Sequence, residues 1–371
     1  MEISRQVRDT FAERPNDLRV FNSGGVPSEI ITETQTEREI DSKCLPTFRI
    51  RQMNQATIAG KVETVFNIRE QTVSGEIRDR AAPKDLRDRL ISDFPRELPP
   101  LRGIVSHPVA TPEGHLTITR GYDRETGLFC TDDSDYSMLT DPISLAEAKE
   151  SYEYLSNSLF ADFSFAEPED KAAAVSLVLT QLSRALMEIA PGYAISSPVY
   201  GDGKTALAHT ATAGVFGKPA SSLSLPNKEE ELQKVLLSAL AAGNESILFD
   251  NVSSKVDHQS DVLAQVLTSP VFEGRLLCTN NMLRVPTNAT IIFTGKNVRF
   301  RADLSSRIVT CRLQPKPGQD RRRKFSRAQP ENWAVQNRRK VVLSGLRIFK
   351  GYKDAGMPRA DLRPCRFQQW E

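Results

Sequence analysis

Residues Pro198 to Thr205 read Pro-Val-Tyr-Gly-Asp-Gly-Lys-Thr, between a short apolar run at Tyr193-Ala194-Ile195 and a helical run from Ala206 to Ala211. This strand–turn–helix order constrains the chain more than any other stretch, because it is the context a phosphate-binding loop requires. Gly201 and Gly203 let the backbone turn its N–H groups inward as an anion nest. The next helix adds the positive end of its dipole. The expected cradle is Pro198, Gly201, Asp202, Gly203, Lys204 and Thr205. Lys204 is expected to reach the β- and γ-phosphates of a nucleoside triphosphate, and Thr205 to ligate Mg²⁺. The usual pattern begins with Gly, and here that position is Pro198. The other reading is a surface turn that happens to contain Gly-Lys-Thr.

Three later segments extend the pattern. Ser246 to Phe249 reads as a buried strand ending in Asp250. A carboxylate at the C-terminal end of a parallel strand, beside a phosphate loop, is where the Mg²⁺ shell is held. Ala289 to Asn297 reads as a second buried strand with a polar tip, and Asn297 is expected to orient the attacking water. Arg307 precedes the apolar Ile308-Val309 and is expected to act as an arginine finger toward a neighbouring subunit. The alternatives are a turn cap at Asp250, a turn residue at Asn297 and a surface ion pair at Arg307. The order Lys204, Asp250, Asn297, Arg307, each on its own strand–loop unit, favours an ATPase.

Composition agrees with a water-exposed globular chain: 371 residues, 39% hydrophobic, 26% charged and a net charge of +2. That length suffices for two domains. Near-neutral charge gives no whole-chain argument for nucleic acid. The five cysteines, Cys44, Cys130, Cys278, Cys311 and Cys365, show no C-x-x-C spacing, and their odd number argues against a disulfide framework. No signal region and no apolar run long enough to span a bilayer is read, so no membrane and the cytoplasm are expected.

Along the chain, Leu18 to Phe21 and Ser23 to Val26 read as strand and turn. Thr34 to Arg51 and Pro83 to Phe94 read as charged amphipathic elements. Ser144–Asn157, Asp170–Ile189 and Lys228–Ala242 read as helices, and Asp261–Leu267 as a short one. Arg275 to Val285 reads as a hairpin turning at Asn280-Asn281, either a plain surface hairpin or one that brings Arg284 to phosphate. Beyond Pro315 come Arg321-Arg322-Arg323-Lys324 and Arg338-Arg339-Lys340, then a helix from Trp333 to about Tyr352. The basic blocks read equally as a phosphate-backbone footprint or as a solvated helix start. The divisions expected are 1–95 mixed α+β, 96–160 small β-rich and linker, 161–314 P-loop ATPase core, and 315–371 basic and helical.

These motifs in this order resemble a group of prophage and integrative-element P-loop ATPases, helicase-like and primase-associated. That group is similar to AAA+ and superfamily III helicases. The resemblance covers most of the chain, including Leu101 to Val105 with Pro108, Gly121-Tyr122-Asp123, Thr126-Gly127-Leu128, Asp162 to Phe165, Leu179-Thr180, Glu230 to Lys234, Asp250-Asn251-Val252, Leu267-Thr268, Thr294 to Asn297, and Asp303-Leu304 with Arg307. It implies an α/β, AAA+-like three-layer core with a parallel sheet. It also implies ATP and Mg²⁺ as cofactors, a homo-oligomeric ring, DNA as partner and a primase among further partners. Where a motor of this type usually carries a second acidic residue after the Mg²⁺ aspartate, as general base, this chain has Asn251, and the group it resembles carries the same Asp-Asn pair. Where relatives show Gly-Asn-Asn it has Gly295-Lys296-Asn297, and for paired arginines it has Ser306-Arg307. The function expected is an ATP-hydrolysing helicase or translocase in mobile-element replication. The alternative is an ATP-gated DNA-binding or assembly module, a loader or primase partner, with weak or no hydrolysis. A small-molecule kinase fits poorly, since no lid or acceptor site is read between the motifs.

Overall fold

A computed structural model of the chain describes residues 2–33, 47–71, 75–111, 113, 115–117, 119–253, 258–275, 282–314, 325–327, 329–358, 367 and 370. Two compact units divide it: residues 1–106 with 119–133, and residues 107–118 with 134–371.

The smaller unit begins with a helix, Glu2–Glu13, and an antiparallel sheet of Val20–Ser23, Val26–Glu33 and Thr47–Gln52. Two more helices, Gln55–Val65 and Lys84–Glu97, complete its core, where Phe11, Val20, Ile58 and Leu90 are fully buried. Asn54 and Thr57 cap the first of these reciprocally, which answers two of the free N–H groups at that helix start. The strand and turn read at Leu18 to Val26 are present. Within Thr34 to Arg51, the described part is strand, and the rest lies outside the described residues.

The larger unit is built on five parallel strands: β1 Gly192–Ser197, β2 Ser222–Leu223, β3 Ser246–Val252, β4 Thr290–Lys296 and β5 Ile308–Arg312. Their order across the sheet is β2-β3-β4-β1-β5. Alternation along each strand splits the sheet's residues between two cores. Tyr193, Ile195, Leu248, Ile292 and Cys311 join one face, under helices Pro168–Ser183, Lys204–Phe216 and Arg338–Asp354. Ala194, Ile247, Phe249, Ile291 and Phe293 join the other, under helices Glu229–Ala241 and Asp261–Thr268. This is a helix–sheet–helix sandwich, with both faces of the sheet buried, as a parallel sheet demands.

The buried hydroxyl of Tyr193 finds partners inside this core. The hydroxyl of Tyr193 lies 2.7 Å from that of Thr180 and 3.2 Å from that of Ser176, and burial raises its pKa. A strand hairpin, Val271–Arg275 with Met282–Pro286, stands between Asp261–Thr268 and β4. Its turn, with Asn280 and Asn281, lies outside the described residues. The single helix expected from Trp333 to Tyr352 is instead two, Pro330–Gln336 and Arg338–Asp354, parted at Asn337. The amide of Asn337 donates to the carbonyl of Trp333 at 2.9 Å.

Candidate functional site

The loop from Ser197 to Lys204 leaves the C-terminal end of β1 and enters the helix Lys204–Phe216. Gly201 and Gly203 both take positive φ, 84° and 85°. At Gly203 the requirement is double. A Cβ there would meet Phe325 Cζ at 2.6 Å as well as straining the backbone. Ser197 ties the loop from inside, accepting the Val199 N–H at 3.2 Å and donating to the Asp202 carboxylate.

Lys204 is 8% exposed, and its Nζ donates back to the Val199 carbonyl at 2.8 Å. Burial lowers its pKa, Asp202 and Asp250 oppose that shift, and the charge of Lys296 adds to it. Thr205 donates to Asp250 Oδ1 at 2.8 Å, and Thr294 donates to the same oxygen. The pairing of β3 with β4 slips between Phe249 and Val252, and Asn251 sits at φ 55°. A bulge of this kind re-aims side chains at a strand end. Asn is among the few residues that tolerate the left-handed region.

The structure therefore brings Lys204, Thr205 and Asp250 to one side of the molecule. Asn297 begins the turn after β4, at φ 47°, with its side chain exposed. It lines a cavity of about 220 Å³ with Ser196, Ser197, Pro198, Arg312 and Leu313. Arg307 is not brought to the loop. Its backbone N–H bonds Leu304 and its carbonyl accepts from Gly192, at the N-terminal start of β1. One six-residue strand, roughly 16–20 Å, separates it from the loop. Arg307 is 7% exposed and pairs with Asp303, and its buried Nε has no partner among the described residues.

Several residues at the site were given no role from the sequence: Ser197, Thr294, Lys296, His209, Phe163 and Phe325. Strand parity is the signal that finds two of them. Ile292, Thr294 and Lys296 share the face that packs on the helix Lys204–Phe216, whereas Asn297 lies past the strand end. His209, one turn beyond Thr205, is half-buried, with Nδ1 unpartnered among the described residues. Burial lowers its pKa, against the opposing charges of Glu331 and Asp250.

The two candidate DNA features come out differently from a free basic surface. Arg284 makes a cross-strand ion pair with Glu273 at 3.2 Å on the hairpin. The hairpin's base is held by Arg184, whose buried guanidinium donates to the carbonyls of Met187 at 2.7 Å, Ala289 at 3.2 Å and Thr287. Burial pulls the pKa of Arg184 down to about 10. In the second basic block, Arg338 donates to the Val215 carbonyl at 2.8 Å and Arg339 to the Asp135 carbonyl at 2.7 Å. Lys340 lies 4.2 Å from the Tyr154 ring centroid. That block has its own intramolecular contacts. The block at Arg321 to Lys324 lies outside the described residues.

No family model matches the sequence, and no curated protein matches it. Solved structures similar to this chain include the apo C-terminal region of NrS-1, at 9% identity and TM-score 0.41, covering 91% of this chain and 69% of that one. A second structure of that region gives TM-score 0.42 at 9% identity, covering 94% and 76%. JCV helicase is similar at 17% identity and TM-score 0.30, over 55% of this chain and 59% of that chain. This chain thus spans about three fifths of the JCV helicase chain that it matches. No helix among the described residues is long and apolar enough to cross a membrane.

Proposed function

We propose that the larger unit binds ATP with Mg²⁺ and hydrolyses it to drive work on DNA, as a helicase or translocase of mobile-element replication. One observation carries this reading: the Thr205 hydroxyl and the Asp250 carboxylate are hydrogen-bonded at 2.8 Å, beside Lys204, at the C-terminal end of the parallel sheet. In open α/β sheets that end is where ligands bind. The backbone N–H groups from Gly201 to Thr205 receive the phosphates. Lys204 leaves the Val199 carbonyl to pair with phosphate oxygen.

Thr205 and Asp250 offer hard oxygen donors of the kind Mg²⁺ takes, with substrate phosphates completing the shell. Among the described residues no three His, Cys, Asp or Glu form a metal cage, and a Mg²⁺ site shared with phosphate does not need one. When bound, the ion neutralises charge on the phosphate oxygens. Asn297 is the proposed water-positioning residue.

Arg307 lies at the far end of its own sheet, so its finger role requires a second copy of the chain and release from Asp303. That second copy belongs, in this reading, to a homo-oligomer, with a ring as the arrangement the resemblance implies. The second reading is an ATP-gated loader or primase partner. It is favoured by Asn251, an amide that cannot take a proton where a second carboxylate would act as base.

The test measures ATP binding, phosphate release with and without single-stranded DNA, and mass by light scattering with ATP–Mg²⁺. DNA-stimulated release that falls steeply with salt supports the motor. Assembly on ATP without release supports the second reading. Absence of nucleotide binding overturns both.

A further inference from the structure

We propose that Lys296 is a second phosphate-binding cation that reads the terminal phosphate of the bound nucleotide, and that Tyr200 holds its ammonium while the loop is empty. This assignment rests on the nucleotide reading above.

The argument begins with strand parity. Ile292 packs in the core under the phosphate-loop helix, and Thr294 donates to Asp250 on that same face. Lys296, two residues on, projects from the last position of β4 toward the loop. Its Nζ lies 5.0 Å from the ring centroid of Tyr200, the loop residue between Val199 and Gly201. It makes no ion pair among the described residues. Tyr200 is 72% exposed, unusual for a large aromatic with no packing role, so the pair sits at the mouth of the loop. The charge of Lys296 also reaches Lys204, which means the two ammoniums share one neighbourhood.

An ammonium over an exposed tyrosine ring is a weak, breakable contact. A charge-assisted bond to phosphate is stronger. Anion arrival therefore moves Lys296 from the ring to the phosphate. The ammonium also differs in chemistry from the side-chain amide of the adjacent Asn297. It has three donors and no acceptor, so it binds phosphate oxygen but cannot accept a hydrogen bond from a water molecule. A lysine here strengthens triphosphate recognition without helping to aim the nucleophile.

The experiment compares dissociation constants for ATPγS–Mg²⁺ and ADP–Mg²⁺ by calorimetry on the full chain. Lys296→Met is expected to weaken ATPγS about tenfold, the loss of one charge-assisted contact, and ADP less than about twofold. Tyr200→Leu is expected to tighten ATPγS by about two- to threefold, since the competing ring contact is removed. The double variant is expected to match Lys296→Met, because Tyr200 acts only through Lys296. An unchanged ATPγS to ADP ratio in Lys296→Met overturns the assignment while leaving the nucleotide reading intact. Tyr200→Leu weakening ATPγS overturns the resting role of the ring. If the native chain binds neither nucleotide, the nucleotide reading itself fails.

Discussion

At the C-terminal end of the parallel sheet, Thr205 and Thr294 converge on one carboxylate, Asp250, with Lys204 and Lys296 close by. At the N-terminal end the guanidinium of Arg307 is buried against Asp303, with its Nε unpartnered among the described residues. The first end is satisfied within one chain and has an open mouth. The second has a strong cation that its own chain uses only in part. A buried donor without an acceptor is costly, so that end is either a structural compromise or half of a site. The comparison teaches where to look for a partner: the loop end for a small anion, the Arg307 end for another copy.

The sharpest way to break this contrast is Arg307→Ala. With the nucleotide held between copies, turnover is expected to fall by roughly 10³-fold or more, while ATP affinity stays within about twofold. Phosphate release and nucleotide titration read the two. Mixing Arg307→Ala with Lys204→Ala protein should restore part of the activity, because a mixed interface supplies one intact loop and one intact arginine. Unchanged turnover would leave Arg307 with Asp303 as a structural pair only.

A smaller effect sharpens the loop end. Gly203→Ala forces a side chain into φ 85° and against the Phe325 ring, so a loss of about 1–2 kcal/mol is expected from backbone strain alone. Denaturant midpoints measure it, and a cost near zero would mean that the loop relaxes freely.

The smallest effect concerns His209, whose folded-state pKa is depressed by burial. As pH falls through the ordinary histidine value of about 6.5, the unfolded chain takes up the proton first. Stability therefore declines below that pH. In His209→Gln the decline should be shallower, as read from denaturation midpoints between about pH 7 and pH 5. A parallel decline in both proteins would remove His209 from the acid-sensitive groups.

Much of the larger unit was legible because its signals are local. Four of the five sheet strands were read as short apolar runs ending in polar residues, and the glycines of the loop mark backbone that only glycine adopts easily. The two-residue strand Ser222–Leu223 carries too little pattern to be read. The helices Glu2–Glu13 and Gln55–Val65 were missed, since the first has only Ile3, Val7, Phe11 and Ala12 as apolar residues and the second is rich in β-branched residues and contains Gly60. Arg338 to Lys340 was ambiguous in the sequence because a run of cations looks alike whether it faces solvent or the carbonyl end of a neighbouring helix.

What the chain by itself determined is chemistry tied to spacing: a Gly-Asp-Gly-Lys-Thr turn between strand and helix, and Asp250 at the tip of an apolar run. Backbone conformation and side-chain alternation act over a few residues, so one dimension carries them. Which tips meet was decided by the tertiary structure. The strand order sets β4 between β3 and β1, which brings Thr294 to Asp250 and Lys296 to the loop while leaving Arg307 at the opposite end. That order arises from packing two faces of one sheet against helices distant in sequence, and no local pattern encodes it.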